Sequence, residues 1–394
     1  MALDFPFGFP YSFGELVHRE LPTRGRSYIV TPEQQVVLRD TEGHQLMQWL
    51  SEDFTQLSWG RELRATSKCS LSAGSVLDRK GNAPPIVPWK HWLDVYSTDP
   101  TPRLYWTGPI QTISMDEYST DINCSDVSVY SEVTRVPLTK SWDGVDPSVP
   151  ALEMWNAMLT RQGLPHVVPI PRVDPYGNRF DCRWVKGEKL MNQMIQDLEQ
   201  MAFKWTVVGG VPVLGPMPED PIASLDKDDF VGRGLKLTRD GSRTFNDILL
   251  RGADEIASAR KELYGLNLET IINLDTMFGL TNVNAAAREY VDMTGRFVNS
   301  ISTPGGAVLN PHVNLDVNQL VPSVRFAVTA FGVRSTMELE SLQVMCQSGQ
   351  AQTAVTLTEV PDRTEIGDML ITGGSASFAS GTRNSLNLGK GLPT

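Results

Sequence analysis

Between Gln35 and Arg135 the sequence alternates apolar and polar residues in about six short segments, which turn-rich stretches such as TDPTP and DEYSTD separate. QVVLRD and HQLMQWL flank a Thr-Glu-Gly turn, and LRATSKCSL alternates with a period of two residues. This is the period of a β-strand, and strands of this length and spacing are typical of a small barrel or sandwich. The pattern predicts a first β-barrel domain over residues 35–140.

One of these strands, RLYWTGPIQTISM, contains Gly108 and Pro109. Leu104, Trp106 and Ile110 occupy even-numbered positions, whereas Ile113 and Met115 occupy odd-numbered ones. The buried face therefore changes near Gln111. Such a change indicates a β-bulge, and proline is tolerated where its nitrogen has no ladder hydrogen bond to donate. We therefore expect Gly108 and Pro109 to mark a bend at a sheet edge or a barrel corner.

The N-terminal segment MALDFPFGFPYSFGEL has an aromatic residue at every second position, with proline, glycine or serine between them: Phe5, Phe7, Phe9, Tyr11 and Phe13. Proline excludes this segment from a central strand, and the aromatic side chains would form a large apolar patch if water surrounded them. Residues 1–34 are therefore predicted to be an extended arm that lies on another surface. That surface is either its own domain or a neighbouring subunit, so the five aromatics are candidate subunit-interface residues.

The rest of the chain divides into helical and β-type patterns. Residues 141–203 repeat apolar residues every three or four positions, which predicts a helical connecting region. Residues 204–253 and 306–365 read as a second β-barrel domain, with Gly209 and Gly210 as a hairpin turn, and helical patterns over 254–305 read as an insertion. Residues 366–394 are rich in Gly, Ser and Asn, which is typical of a flexible tail. The predicted fold class is α+β, with two β-barrels joined by helical segments.

Composition narrows the function classes. The 46 acidic and 35 basic residues give a formal charge of −11, so the surface should repel nucleic acid and anionic lipid. No segment approaches the length of apolar sequence that crosses a membrane, and no secretion signal is recognisable. The four cysteines lack zinc-site spacing and are interpreted as reduced residues of the core.

Motifs for catalysis or cofactor binding are lacking. VGRGLKL and LGKGL do not match a dinucleotide or phosphate loop, and the five histidines are dispersed. The acidic stretch LDKDDF resembles half a calcium loop, but a solvated turn explains it better. We therefore predict no enzyme activity, no cofactor and no metal site. Two alternatives stay open: a glycosidase with an unrecognised acidic pair, and a carbohydrate-binding module with a stacking platform formed by Trp89, Trp92, Tyr105 and Trp106.

The order of these features from Gln35 to Pro361 resembles that of bacteriophage tail hub proteins, the baseplate hub or minor tail proteins of long-tailed phages that infect actinobacteria. The resemblance is carried by QVVLRD with LMQWL, FTQLSWGREL, LDVYS, the strand with Gly108 and Pro109, DINCSDVSVY, the mid-chain helices, and the strands from QLVPSVRFAV to VTLTEV. The chain departs from the family pattern at Ser323, which stands where the family has a glycine after proline.

The resemblance implies two tail-tube-like barrels in each subunit and a homotrimer that joins the sixfold tail tube to a threefold tip. It implies a virion protein of the tail tip, assembled in the host cytoplasm beside a distal tail or tail tube protein, other tip proteins and the tape-measure protein. It also implies that DNA passes through the lumen without specific binding during genome ejection. An acidic wall fits this passage, since a wall that attracted phosphates would slow the DNA.

Overall fold

The structure is a computed structural model that describes most of the chain. The described residues are 33–98, 101–173, 180–200, 203–232, 234–242, 244–252, 255–273, 283–284, 287–288, 290–291, 294–295, 298–303, 306–347 and 350–360. The chain divides into two compact units. The first comprises residues 1–235, 303–329 and 337–358, and the second comprises residues 236–302, 330–336 and 359–394. The predicted arm aromatics, Phe5 to Phe13, and the predicted tail lie outside the described residues.

The first unit begins with the strands that the alternating pattern predicted. They are β1 (Gln34–Asp40), β2 (Gln45–Trp49), β3 (Phe54–Glu62), β4 (Lys68–Gly74), β5 (His91–Ser97), β6 (Leu104–Met115) and β7 (Ser119–Ser125). Along β1 every second side chain is buried, with Val36 and Leu38 fully enclosed, which is the period of a strand with one face on the core. The predicted β1–β2 hairpin is confirmed, since Val36 lies opposite Trp49.

Helices and short strands alternate in the next segment, where the sequence predicted a helical connecting region. After a 3-10 turn at Val127–Val129 come α1 (Tyr130–Val133), β8 (Lys140–Val145), α2 (Ser148–Arg161), β9 (Ile170–Pro171), β10 (Phe180–Trp184) and α3 (Met191–Gln200). The apolar stripes of α2 and α3 are buried in one shared core, which includes Met154, Trp155, Met158, Met191, Met194 and Leu198. These four methionines are therefore packing residues. At the start of α2 the Asp146 carboxylate accepts a hydrogen bond from the backbone N–H of Ser148 at 2.8 Å.

The chain then forms β11 (Trp205–Val208), β12 (Val211–Leu214) and β13 (Pro221–Asp226). The predicted hairpin turn between β11 and β12 is confirmed, because Gly209 and Gly210 both have positive φ angles, +54° and +80°. Two-residue turns of this type need left-handed backbone at both central positions, which glycine adopts at little cost. β12 also pairs in parallel with β9 to complete a three-stranded sheet.

The described part of the second unit contains two small sheets. β14 (Lys236–Asp240) pairs with β18 (Val298–Ser302), and β15 (Asp247–Arg251) lies between β16 (Ile256–Arg260) and β17 (Glu269–Asn273). Described residues between 283 and 294 are helical. The inner face of the three-stranded sheet packs against them, so that Ile248, Leu250 and Ile272 share a core with Tyr290.

The closing strands are β19 (Ala307–Val308), β20 (Arg325–Ala330), β21 (Val333–Gln347) and β22 (Gln350–Glu359), with a 3-10 turn at Val317–Gln319. They join the first strands in a twelve-stranded sheet whose path runs β13-β20-β21-β3-β4-β7-β6-β5-β1-β2, with β22 beside β21 and β19 beside β22. β21 pairs antiparallel with β3, so that Val344 lies opposite Trp59.

The predicted fold class is wrong in two respects. The described strands form open sheets and no closed barrel. Five strands of the predicted second barrel, β13, β19, β20, β21 and β22, belong to the same sheet as β3, and the other four, β11, β12, β14 and β15, lie in three smaller sheets. The patterns read as helices at 254–264 and at LETIINLDTMF contain the strands β16 and β17. Short apolar runs such as these fit a helix and a strand about equally well, and the pairing with β15 decides between them.

Candidate functional site

Gly108 and Pro109, where the sequence predicts a bend, lie where β6 changes its partner strand. Residues 104–109 of β6 pair with β5, and residues 110–115 pair with β7. The register with β7 shifts between Ile110 and Thr112, so Gln111 is the extra residue of a bulge. In the described residues each half of β6 pairs with a strand on one side only. Pro109 has no N–H to donate, and one-sided pairing means that this loss weakens the sheet little.

A closed network of polar side chains lies on the strands beside this bend. The Asp94 carboxylate is buried and accepts hydrogen bonds from Arg39 Nε at 2.6 Å, Thr107 Oγ1 at 2.5 Å and the Tyr96 hydroxyl at 3.2 Å. Burial and the neighbouring Asp94 raise the pKa of Tyr96. The Arg39 guanidinium lies over the Trp92 ring at 5.2 Å. A carboxylate that is paired and hydrogen-bonded on both oxygens stabilises the sheet and is a poor general base.

A second buried carboxylate holds the end of β7. Asp126 accepts hydrogen bonds from the backbone N–H and hydroxyl of Ser67, at 2.8 and 2.5 Å, and from the same two groups of Ser128, at 2.8 and 2.6 Å. Burial nevertheless raises the pKa of Asp126. Trp106 Nε1 donates to the Ser67 hydroxyl at 3.1 Å, which links this cluster to β6. The cluster has the character of a structural cap.

Arg61 joins three separate parts of the first unit. Its guanidinium donates to the backbone carbonyls of Val317 at 2.9 Å, Leu320 at 3.2 Å and Tyr105 at 3.0 Å. It also lies 5.4 Å from the centre of the Trp59 ring, which stacks on Tyr105. Complete burial lowers the pKa of Arg61 to about 10, so it is charged at neutral pH. The sequence gives no local signal for this role, because the accepting carbonyls come from distant segments.

The aromatic platform of the carbohydrate-binding alternative is not present as a surface. Trp92, Trp106 and Tyr105 are buried to 3% exposure or less. Trp89 is 37% exposed, and its ring packs on that of Tyr130 with 5.4 Å between centres. A sugar needs an exposed aromatic face, so these four residues do not form a stacking site.

Three of the four cysteines are buried, as the sequence predicted, and Cys182 is partly exposed. All four are free thiols, and Cys69, Cys124 and Cys346 are buried. Cys69 lies directly opposite Cys124 in the pairing of β4 with β7. Burial raises the pKa of Cys69 and Cys124, and it raises that of Cys346 to about 12. Such thiols are poor nucleophiles and poor metal ligands at neutral pH.

Two further features lie on the surface of the described residues. Asp40, Glu42 and His44 meet at the β1–β2 turn, where their ligand atoms lie within 4.8 Å of one another, but the turn is exposed. Hydrogen bonding to Asp40 raises the pKa of His44.

A cleft of about 600 Å³ is open to solvent and contains no acid–base pair. It is lined by Pro137, Leu138, Asn156, Ala157, Thr160, Arg161 and Lys186.

The LDKDDF stretch forms a 3-10 turn. The Asp226 carboxylate accepts from the backbone N–H of Asp228, and Asp229 accepts from the N–H of Asp226, both at 2.8 Å. These are the contacts of a capping box, in agreement with the predicted turn.

None of the described helices is both long and apolar enough to cross a membrane.

Comparison with known proteins gives a match at the level of structure. No family model matches the sequence, and no curated protein matches it. The 43 kDa tail protein of prophage MuSo2 from Shewanella oneidensis superimposes with a TM-score of 0.52 at 13% identity, over 82% of this chain and 97% of that one. The chain therefore has the fold of a prophage tail protein.

Two further tail proteins are similar at lower scores. A tail protein from Neisseria meningitidis MC58 has a TM-score of 0.48 at 13% identity, over 84% of this chain and 97% of that one. A prophage tail protein from Listeria monocytogenes has a TM-score of 0.47 at 10% identity, over 86% and 99%.

Proposed function

We propose that this chain is a structural protein of a bacteriophage tail and that it acts in the virion as the hub of the tail tip or baseplate. The observation that carries the proposal is the shared fold with the 43 kDa tail protein of prophage MuSo2, which extends over 82% of this chain and 97% of the other. Correspondence over most of both chains is expected for proteins with one architecture. At 13% identity the role itself is a proposal.

The side-chain chemistry supports a structural role. The two buried carboxylates, Asp94 and Asp126, have hydrogen-bond partners on both oxygens, and the buried thiols are held in the protonated form. The open cleft has no paired acid and base. Groups that are satisfied in this way fix strands in place, whereas a catalytic group needs an open position towards its substrate.

In the finer form of the proposal, three copies form the hub and join the sixfold tail tube to a threefold tip. Its partners are the distal tail or tail tube protein, other tip proteins and the tape-measure protein. The formal charge of −11 supports a channel that DNA crosses during genome ejection without specific binding. The open sheet supports assembly, since an exposed sheet edge is commonly covered by a partner.

Immunogold electron microscopy of purified particles tests the location. Antibody raised against the full chain should label the end of the tail distal to the capsid. Tail-less particles and an antibody against the major capsid protein serve as controls. Label on the capsid, or particles that contain none of this chain, would contradict the proposal.

Native mass spectrometry of the purified full chain tests the oligomer. The expected species has three times the 43.6 kDa mass of one chain. A strict monomer at all concentrations, together with monomeric chain in disassembled tails, would overturn the trimer and leave the tail location to the microscopy.

A further inference from the structure

Strand β2 ends the twelve-stranded sheet with an edge that is suited to accept another strand. In the described residues β2 pairs with β1 alone. Its sequence, QLMQW, contains no charge and no proline, and Leu46 and the following Leu50 are 48% and 42% exposed. The opposite edge, β13, begins with Pro221 and ends with Asp226, residues that discourage further pairing. The two edges therefore differ in their capacity to bind a partner strand.

The N-terminal segment has the sequence of a strand that pairs on one side only. In an extended chain the N–H and C=O groups of successive residues point to opposite sides, and successive side chains point to opposite faces. In FPFGFPYSF the aromatics occupy the odd positions, and Pro6 and Pro10 occupy even ones. The odd residues can therefore bond to one neighbouring strand while the prolines face away, where no donor is needed.

We propose that residues 5–13 of one copy add to β2 of a second copy as an outer strand. Their aromatic side chains lie on one face, and the exposed side chains of Leu46 and Leu50 provide an uncharged apolar surface for them. Aromatic and aliphatic side chains on neighbouring strands stabilise such pairs. The inference extends the proposed function and rests on the part of it in which several copies of the chain assemble.

The length of the intervening chain favours a second copy over the same chain. An outer strand on its own β2 would lie two strand spacings, or about 10 Å, from β1, a distance that a connection of roughly 2–6 residues covers. Residues 14–32 instead provide a connection of 19 residues between Phe13 and Glu33. A connection of that length can span about 60 Å, which is enough to reach a neighbouring subunit.

Cysteine cross-linking of the full chain tests the contact. Phe9→Cys and Gln48→Cys are made in separate chains that also carry Cys182→Ser, so the remaining native thiols are buried. The two proteins are mixed under conditions that permit subunit exchange and treated with a short bismaleimide. The expected product is a covalent dimer. In this mixture a link between residues 9 and 48 joins two different chains.

Two comparisons make the result decisive. Tyr118→Cys replaces Gln48→Cys as a control for general collision, since Tyr118 is 85% exposed and lies outside β2. The Phe9/Gln48 dimer should exceed this control about tenfold, as expected for a specific contact worth one or two hydrogen bonds. If a chain with both substitutions cross-links only within itself, the arm occupies its own β2 and the proposal is wrong. Equal yields with both partners also overturn it.

Proline substitutions test the one-sided pairing. Ser12→Pro adds a proline at an even position, so the yield with Gln48→Cys should stay within about twofold of the parent. Tyr11→Pro removes an N–H at an odd position and should lower the yield about fivefold relative to Tyr11→Ala, which loses only the ring. Equal losses at positions 11 and 12 would exclude a paired strand. Circular dichroism of each variant checks that the chain is folded.

The cross-linking result and the immunogold test of the proposed function can fail independently of each other. Gold label at the tail end without this cross-link would overturn the arm contact alone. The cross-link without any label in the virion would overturn the tail role and leave the contact between copies established.

Discussion

The backbone of Gly108 lies so close to the carbonyl of Ser125 that a Cβ atom at residue 108 would be 2.0 Å from the carbonyl oxygen. It would also be 2.8 Å from the Trp106 ring. Both positions are buried, and the backbone on either side is held in the pairing of β6 with its neighbours. The glycine is therefore required by the close approach of two strands at the bend.

Gly108→Ala should destabilise the first unit. The added methyl group meets a backbone atom that cannot rotate away, so we expect a loss of about 3 kcal/mol or more in the free energy of unfolding. Gly74→Ala is the matched control, because no atom lies within 4 Å of a Cβ at that strand position. Urea unfolding followed by tryptophan fluorescence gives both values. Similar urea midpoints for the two variants would show that the backbone around residue 108 moves to accommodate the added methyl group.

Ser323→Gly should stabilise the protein. Ser323 follows Pro322 in a turn closed by a hydrogen bond from Val324 N–H to the Val321 carbonyl at 3.1 Å, and its φ angle is +78°. Its hydroxyl is buried with no hydrogen-bond partner in the described structure. Glycine removes the strain and the unpaired group, for a gain of about 1 kcal/mol.

Ser323→Ala separates these two causes. It removes the hydroxyl and keeps a Cβ in the left-handed region, so its gain in unfolding free energy should be smaller than that of glycine. The urea midpoints decide the order. A glycine variant less stable than the alanine variant would contradict the role assigned to the backbone angle.

Local signals account for the part of the fold that the sequence predicts. The stripes of α2 and α3 and the turns of the two hairpins involve residues within a few positions of one another. The bulge at Gln111 is also visible as a change of parity within one strand. Each of these features depends on periodicity or on glycine chemistry, which a single sequence displays.

Long-range pairing accounts for what the sequence does not predict. β21 pairs with β3, to which it is adjacent in the sheet but more than 250 residues distant along the chain, and this pairing replaces the expected second barrel. The partners of Arg61 are the backbone carbonyls of Val317, Leu320 and Tyr105, which no side-chain pattern marks. Strand order is set by tertiary contacts, so short strands with similar patterns fit several topologies.

Arg61→Lys should be strongly destabilising despite the conserved charge. A lysine ammonium cannot reach the three carbonyls that the planar guanidinium satisfies, so buried acceptors lose their donors at a cost of about 3 kcal/mol. Arg103→Lys is the control, since the Arg103 ion pair with Asp316 at 2.9 Å is one-third exposed. That change should cost less than about 1 kcal/mol. If Arg61→Lys and Arg103→Lys lose equal amounts of stability in thermal or urea unfolding, the role assigned to the Arg61 hydrogen bonds is wrong.

Two aspartates should contribute to stability with opposite dependence on pH. Burial raises the pKa of Asp126 above its unfolded value of 3.8, so its contribution is greatest at low pH and declines as pH rises through the folded pKa. Hydrogen bonds from the N–H groups of Tyr118 and Ser119 lower the pKa of Asp116, so its contribution is present above 3.8 and is lost as pH falls.

Asp126→Asn and Asp116→Asn measure these contributions. The stability difference between the parent and Asp126→Asn should shrink from about pH 3.5 to pH 7, and the difference for Asp116→Asn should grow over the same range. Urea midpoints across this range give both slopes, and effects common to all variants cancel. If both stability differences change in the same direction with pH, the direction of the pKa shift is wrong for one of the two carboxyl groups.

Thiol modification should distinguish Cys182 from the other three cysteines. Cys182 is partly exposed, whereas Cys69, Cys124 and Cys346 are buried with raised pKa values, and the thiolate is the reactive form. A thiol reagent at mildly alkaline pH should modify one residue rapidly in the folded protein and all four in denaturant. Cys182→Ser should abolish the rapid phase. Rapid modification that survives this substitution would mean that the core around β4, β7 or β21, where the other three cysteines lie, opens to solvent.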